Sequence, residues 1–117
     1  MDSIVLQPKR NAPVILETEE KIELQGVHLF LHTYPGKAAD APMLSSRFTI
    51  DPGCGTEPDE HAVSELWFIS EGDLDVFYDG RWHTVRNGQT LYFPPWQPHC
   101  ARNNGAHQVQ VFSVWWA

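Results

Sequence analysis

The sequence predicts an all-β domain, either a sandwich or a barrel of short strands. Apolar and polar residues alternate along much of the chain, which is the period of a half-buried strand. Turn-forming pairs such as Asp79-Gly80 and Asn87-Gly88 recur at close intervals. Nine prolines and eight glycines in 117 residues suit short elements with tight turns. The sequence contains no convincing long amphipathic helix. Seven or more strands at this spacing favour a sandwich, a barrel or a jelly roll.

The predicted elements follow one another along the chain. Strands are predicted at 27–34, 46–53, 65–70, 73–85 (a hairpin), 89–95 and 107–116, with loop composition at 36–42. Residues 15–24 fit either one short turn or a polar edge strand. We expect 1–117 to be a single domain in which 1–26 form a less regular N-terminal arm or edge strand.

Composition and charge exclude several classes of function. The net charge of −7 and the absence of a Lys/Arg cluster argue against nucleic-acid binding. No apolar run approaches the about 20 residues that a membrane span needs, and the N-terminus does not resemble a secretory signal. Two cysteines, Cys54 and Cys100, are too few for a disulfide framework. We therefore expect a cytoplasmic protein that binds neither nucleic acid nor membrane.

Three side chains have the chemistry of metal ligands. His61 and Glu65 are separated by three residues, and a strand connection that returns on itself would bring both to one face. His99 is a third donor further along the chain. Two imidazoles and one carboxylate with open positions suit Fe(II), and also Mn or Ni, while Zn or Cu is compatible with the same donors. A histidine on a strand is more often a surface or core residue, and we interpret four others in that way: His28, His32, His83 and His107.

The spacing around the first two donors resembles the first motif of the cupin superfamily. That motif reads G, five residues, H-x-H, three or four residues, E, six residues, G. This chain has Gly53, then Asp59-Glu60-His61, Glu65 and Gly72 at the same intervals. Asp59 stands where the motif has its first histidine.

The spacing around His99 resembles the second cupin motif. That motif reads G, five residues, P-x-G, two residues, H, three residues, N. This chain has Gly88, Pro94-Pro95-Trp96, His99 and Asn103 at matching intervals. Trp96 stands where the motif has a glycine. The resemblance extends over residues 46–115.

The resemblance implies a cupin-type β-barrel, also called a double-stranded β-helix or jelly roll. It implies one divalent transition metal per chain, with His61, Glu65 and His99 as ligands at the mouth of the barrel. We expect Fe(II) before Mn, Ni, Zn or Cu. A degenerate site that binds no metal is the opposing hypothesis. The resemblance implies that Asn103 is structural.

The role of Asp59 has three interpretations. Its carboxylate is a fourth ligand, or it stands just outside the ligands and holds a water or acts as a general base, or it faces solvent in an acidic loop with Glu57 and Glu60. Tyr92 is a second candidate acid or base.

The pocket around such a metal has further candidate residues. Trp67 shares a strand face with Glu65, and Trp96 lies close to His99, so both are candidate walls, together with Phe93. Arg47 and Arg102 are candidate anchors for an acidic substrate. Most of the other aromatic residues are expected to fill the core.

Three functions are compatible with these features. The first is a metal-dependent enzyme that acts on a small organic molecule, with a dioxygenase-type oxidoreductase favoured over a redox-neutral isomerase, cyclase or lyase. The second is a small-ligand-binding module, and the third is a structural domain with a vestigial site. Because small cupins commonly pair, and because the apolar segments "SIVL" (3–6) and "SVWWA" (113–117) read as edge strands, we also expect a homodimer.

Overall fold

The computed structural model describes residues 13–117 and confirms the all-β prediction. The strands are β1 (Glu17–Leu24), β2 (Val27–Thr33), β3 (Leu44–Ile50), β4 (Ser64–Glu71), β5 (Leu74–Tyr78), β6 (Arg81–Val85), β7 (Thr90–Phe93), β8 (His99–Arg102) and β9 (Val109–Trp116). One 3₁₀ turn, Gly36–Ala38, lies between β2 and β3. Within residues 13–117, no helix is long and apolar enough to cross a membrane.

The strands form two antiparallel sheets. One has six strands in the order β1-β2-β3-β9-β4-β7, and the other has three in the order β6-β5-β8. Alternating side chains from both sheets meet between them as the hydrophobic core. The core consists of Val27, Phe48, Ile50, Trp67, Ile69, Leu74, Val76, Val85, Phe93, Ala101, Val109 and Val111.

The turn chemistry explains the two-stranded hairpin in the smaller sheet. Asp79 and Gly80 both have positive φ angles, 52° and 81°, as the tight turn between β5 and β6 requires. Gly72, between β4 and β5, also has a positive φ of 86°, and a Cβ atom there would lie 2.9 Å from Val109 Cγ2. Glycine is therefore required at Gly72 both by the backbone conformation and by the close approach of β9.

Two expectations about the ends of the chain have different outcomes. Residues 17–24 form the edge strand β1, which pairs with β2, so the edge-strand interpretation of 15–24 is confirmed. The prediction that 113–117 form an edge strand is wrong, because β9 pairs with β3 on one side and with β4 on the other. The segment 3–6 lies outside the described residues.

The pairing of the strands places one row of side chains beside the candidate ligands. Ser113 of β9 lies opposite Ser46 of β3 and opposite Trp67 of β4. Ser46 in turn lies opposite Leu31 of β2. The inner face of the large sheet thus runs continuously from the strand of Glu65 to β2.

Candidate metal centre

Three donors that are distant in sequence meet at one end of the space between the sheets. Their ligand atoms, on His61, Glu65 and His99, all lie within 4.8 Å of one another. Glu65 is the second residue of β4, and His99 is the first residue of β8. His61 lies in the connection before β4, and its backbone carbonyl accepts a hydrogen bond from the amide of Trp96. The structure brings His61 and Glu65 together, but His61 lies on a loop and not on a strand that returns into β4.

The carboxylate of Glu65 is held on one side only. Its Oε2 atom accepts hydrogen bonds from Trp67 Nε1 at 2.9 Å and from Ser113 Oγ at 2.6 Å. Its Oε1 atom is buried and has no hydrogen-bond partner among the described residues. That oxygen lies 3.3 Å from His99 Nε2 and 3.9 Å from His61 Nε2. A buried acceptor left in this state costs roughly 1–3 kcal/mol, so the site favours a cation beside Oε1.

The ring of His99 is fixed from two directions. Its Nδ1 atom lies 2.9 Å from the carbonyl oxygen of Gln97, to which Nδ1–H donates. The ring stacks face to face on Phe93, with centroids 4.0 Å apart. The remaining nitrogen, Nε2, therefore points at Glu65 with the lone pair that a metal ligand requires.

The protonation of the Glu65–His99 pair also favours a positive charge at this point. Burial acts to raise the pKa of Glu65, but His99 and the two hydrogen bonds to Oε2 outweigh it and hold that pKa below its usual value. Burial acts to lower the pKa of His99, but Glu65 and the Gln97 carbonyl outweigh it and raise that pKa. Each of the two groups thus favours the charged form of the other.

Asp59 lies at the edge of this cluster. Its backbone pairs with His99 through two hydrogen bonds of 2.9 Å, which align the two motif segments. Its Oδ2 atom lies 3.1 Å from His61 Nε2, and 59% of its side chain is exposed. The carboxylate thus contacts the candidate ligand nitrogen, but it lies outside the group of three mutually close donors.

The donor set fits a divalent transition metal. Two imidazoles and one carboxylate from three separate positions are a known arrangement for such ions, with open positions left for other molecules. The orphaned Oε1 atom and the fixed Nε2 atom of His99 are oriented as ligands would be. His61, Glu65 and His99 could therefore hold one metal ion.

The cluster opens into a cavity of about 1140 Å³. Of the candidate pocket residues, Trp67 and Arg102 line it, as do Asp59 and all three candidate ligands. Trp67 is 4% exposed and packs edge-on against His99, with ring centroids 5.4 Å apart.

The other four candidate residues do not line the cavity. Phe93 is 1% exposed and lies behind His99, so it supports the ligand ring instead of touching a substrate. Tyr92, on the opposite face of β7, is 51% exposed, and its hydroxyl oxygen lies 3.2 Å from Ser64 Oγ. Arg47 points outwards from β3 and covers the ring of Phe30 at 4.1 Å.

The expectation that Trp96 narrows the mouth of the pocket is also not supported by its position. Its side chain is 64% exposed and is absent from the cavity lining. Its φ angle is +64°, which explains why a glycine suits this position of the motif. The turn is formed in spite of the tryptophan, and the indole points towards solvent.

Sequence patterns did not identify the residues that hold and extend the site. Ser113 fixes the carboxylate of Glu65, and the alternation of β9 would have exposed it, since a serine occupies an inward position between Val111 and Trp115. Leu29 and Leu31 line the cavity. Their shared face was evident from the alternation, but the partner of that face was not.

Comparison with known proteins agrees with the all-β fold. A family model described as "Cupin domain" matches residues 46–115. A "Cupin 2 conserved barrel domain protein" from Salinispora arenicola superposes with a TM-score of 0.70 at 22% identity, covering 99% of this chain and 91% of that one. KdgF from Halomonas sp. superposes with a TM-score of 0.70 at 13% identity, covering 84% and 86%. A structure from Thermotoga maritima described as a predicted oxalate decarboxylase superposes with a TM-score of 0.71 at 17% identity, covering 88% of this chain and 98% of that one.

These comparisons establish the fold and the family. At identities of 13–22%, the solved structures establish the barrel fold alone. The family model covers more than half of this sequence. The chain therefore belongs to the cupin family.

Proposed function

We propose that this chain is a metal-dependent cupin enzyme that acts on a small organic molecule, with His61, Glu65 and His99 as its metal ligands. The observation that supports this most strongly is the buried Glu65 Oε1 atom, which has no hydrogen-bond partner among the described residues and faces two imidazole nitrogens. A divalent cation bound between these atoms removes the cost of the orphaned acceptor.

Fe(II) and a dioxygenase-type oxidoreductase are the favoured form of this proposal. A site with two imidazoles and one carboxylate leaves several positions open towards the cavity, which suits an iron that meets both O₂ and substrate. When bound, the metal supplies Lewis acidity and, in the case of iron, redox chemistry. The protein orients its ligands: Gln97 fixes the tautomer of His99, and Ser113 and Trp67 fix the carboxylate.

A redox-neutral isomerase, cyclase or lyase is the second candidate, and the position of Asp59 favours it. This carboxylate lines the cavity and contacts His61 while most of its surface stays exposed. A base placed beside the metal is what a proton transfer on a bound substrate requires. Tyr92, the other acid or base considered, points away from the cavity.

Metal reconstitution tests the shared part of both candidates. Metal-free protein is incubated anaerobically with Fe(II), Mn(II), Ni(II), Zn(II) and Cu(II) in turn, and bound metal is measured by mass spectrometry. We expect close to one ion per chain, and we expect His61→Ala and His99→Ala to abolish stoichiometric binding. His107→Ala changes an exposed histidine on a loop and is the matched control. Retained binding in both ligand variants would refute the assignment.

Two measurements separate the candidate functions once metal binds. Nitric oxide added to the Fe(II) protein gives a paramagnetic adduct only where a coordination position is open, so a signal is expected for an enzyme and none for a saturated binding module. Oxygen uptake during turnover of a substrate library, compared with anaerobic turnover, then separates the dioxygenase from the redox-neutral enzyme.

We also propose that the chain forms a homodimer. The outer face of the six-stranded sheet carries the ring pairs Phe68–Phe112 and Tyr92–Trp116, and Phe68 and Tyr92 are 38% and 51% exposed. Exposed apolar faces of this kind commonly mark interfaces. Light scattering at tens of micromolar protein tests the state, and Phe68→Glu is expected to shift it towards monomer. A monomeric wild-type protein would refute the proposal.

A further inference from the structure

The cavity has a polar side and an apolar side. Several polar groups lie on the connection between β3 and β4, where Glu57, Asp59 and His61 line the space. Glu65, Ser46 and Ser113 add polar groups from the six-stranded sheet. The apolar groups lie on the inner face of the six-stranded sheet. They include Leu29, Leu31, Phe48, Trp67 and Trp115, which come from four neighbouring strands.

The apolar wall begins directly at the candidate metal ligands. Trp67 packs against His99 with ring centroids 5.4 Å apart, and Phe48 packs against Trp67 at 5.3 Å. Leu29 lies opposite Phe48 in the pairing of β2 with β3, so the wall continues to β2 along this row. The neighbouring row, from Trp67 to Leu31, passes through Ser113 and Ser46, which also line the cavity. A molecule bound at the metal end therefore meets aromatic and aliphatic surface beside its coordinating atoms.

The size of the cavity exceeds what a chelating group alone would occupy. Its volume of about 1140 Å³ lies slightly above the usual range for small-molecule sites, which is about 300–1,000 Å³. The ligand cluster takes up one end of this space only.

The charges that line the cavity disfavour a substrate with several negative groups. The lining contains the carboxylates of Glu57, Asp59 and Glu65, and Arg102 is the one Lys or Arg among the described lining residues. A divalent cation brings this set close to neutrality. A dianion such as oxalate would then add negative charge without a further partner, and it would leave the apolar wall uncovered.

We propose that the substrate is a mainly apolar organic molecule that carries a single chelating group of low charge. Its apolar part is about the size of one aromatic ring or of a medium-length alkyl chain. The chelating group occupies the end of the cavity at Glu65, and the apolar part lies along Leu29 and Leu31. This inference rests on the proposed function, because the chelating end requires the metal ligands.

Binding of a matched series of chelators to the Co(II)-loaded protein tests this inference. Acetohydroxamate and hexanohydroxamate carry the same chelating group and differ only in apolar length, and oxalate is the dianionic comparison. Each affinity is read from the visible absorption of Co(II) and divided by the affinity of the same chelator for Co(II) in buffer. Burial of one methylene contributes about fourfold in affinity, so hexanohydroxamate is expected to exceed acetohydroxamate by at least about tenfold. Oxalate is expected to rank last.

Variants on the two faces of β2 provide the structural control. Leu29→Ala and Leu31→Ala each shorten the apolar wall, and each is expected to reduce the gain from the longer chain while leaving the binding of acetohydroxamate unchanged. Phe30→Ala removes a side chain from the outer face of the same strand and is expected to change neither. Melting temperatures of all three report whether the fold is retained, and two independent wall variants keep the test open if one of them unfolds.

The outcomes separate failure of the inference from failure of the proposed function. Absence of stoichiometric Co(II) binding overturns the proposed function itself. Co(II) binding with equal normalised affinities for the two hydroxamates, or with oxalate as the strongest, overturns the inference alone. A chain-length gain that weakens as the protein concentration rises identifies a second copy of the chain as the occupant of the wall, and this also overturns it.

Discussion

Replacement of Glu65 by glutamine separates the metal-binding role of this residue from its role in the fold. The substitution keeps the size of the side chain, and its carbonyl oxygen can still accept the hydrogen bonds from Trp67 and Ser113. The new amide then faces His99 Nε2, 3.3 Å from the position of Oε1, and donates where the carboxylate had no partner. We expect the free energy of unfolding of the metal-free Glu65→Gln protein to lie within about 1 kcal/mol of that of the metal-free wild type.

The metal-loaded proteins are expected to differ strongly. A ligand present at about 1,000 times its dissociation constant stabilises the folded state by about 4.1 kcal/mol. At the unfolding entropy expected for 117 residues, this stabilisation raises the melting temperature by about 17 °C. Loss of the charged oxygen removes one of three ligands, so Glu65→Gln is expected to gain less than about 1 kcal/mol, or less than about 4 °C, under the same conditions.

Scanning calorimetry with and without Fe(II) under anaerobic conditions measures both effects. Glu60→Gln is the matched control, because Glu60 is an exposed carboxylate in the same acidic connection. It should show the full wild-type increase. An equal increase in Glu65→Gln and wild type would refute the role of Glu65, and no increase in any of the three proteins would refute the metal site.

Three further predictions concern stability. Trp96→Gly is expected to be more stable than Trp96→Ala by about 1 kcal/mol, because φ is +64° at this exposed position. This is the reverse of the usual order of alanine and glycine. Chemical denaturation of both variants measures the difference, and a less stable glycine variant would contradict the prediction. Asn103→Ala is expected to lower the free energy of unfolding, measured by urea denaturation, by about 3 kcal/mol. The side-chain amide is fully buried and forms hydrogen bonds with the backbone of β3 and of the loop before β9. A loss below about 1 kcal/mol would show that water replaces the amide. The pKa of His28 is raised because Asp51 and then Glu23 accept hydrogen bonds from its ring. Its stabilising contribution is therefore present in full below about pH 6.5 and is lost as the pH rises through the raised pKa. His28→Gln should flatten the dependence of the unfolding free energy on pH in that range, and an unchanged dependence would disprove the assignment.

Local patterns predicted the strands, because alternation and turn residues act over a few neighbours. The hairpin at Asp79-Gly80 and the inward face of β4 were predicted on this basis and are present in the structure. The strand β8, with only the four residues His99–Arg102, was missed because it is too short to show a period. It was named only as the position of a candidate ligand.

The pairing of the strands is where prediction from sequence failed. The apolar end of β9 read as an edge strand because nothing in its own residues reveals that β3 and β4 both pair with it. The same limit applies to Trp96, which is close to His99 in sequence and yet turns its indole to solvent because its backbone takes a left-handed conformation. The three donors were found because the motif spacing carries information about long-range contacts that composition and period do not.

The central position of β9 has a consequence for the order in which the chain acquires its chemistry. The carboxylate of Glu65 is held by Ser113, which lies 48 residues further along the chain, on the last strand in chain order. Contacts this distant in sequence form late, because the loop between them must close first. Without β9, β3 and β4 would each keep one open edge, and of the two donors to the Glu65 carboxylate only Trp67 would be in place. If the proposed metal binds, its binding would depend on completion of the large sheet, and a tightly bound ion would slow the release of β9.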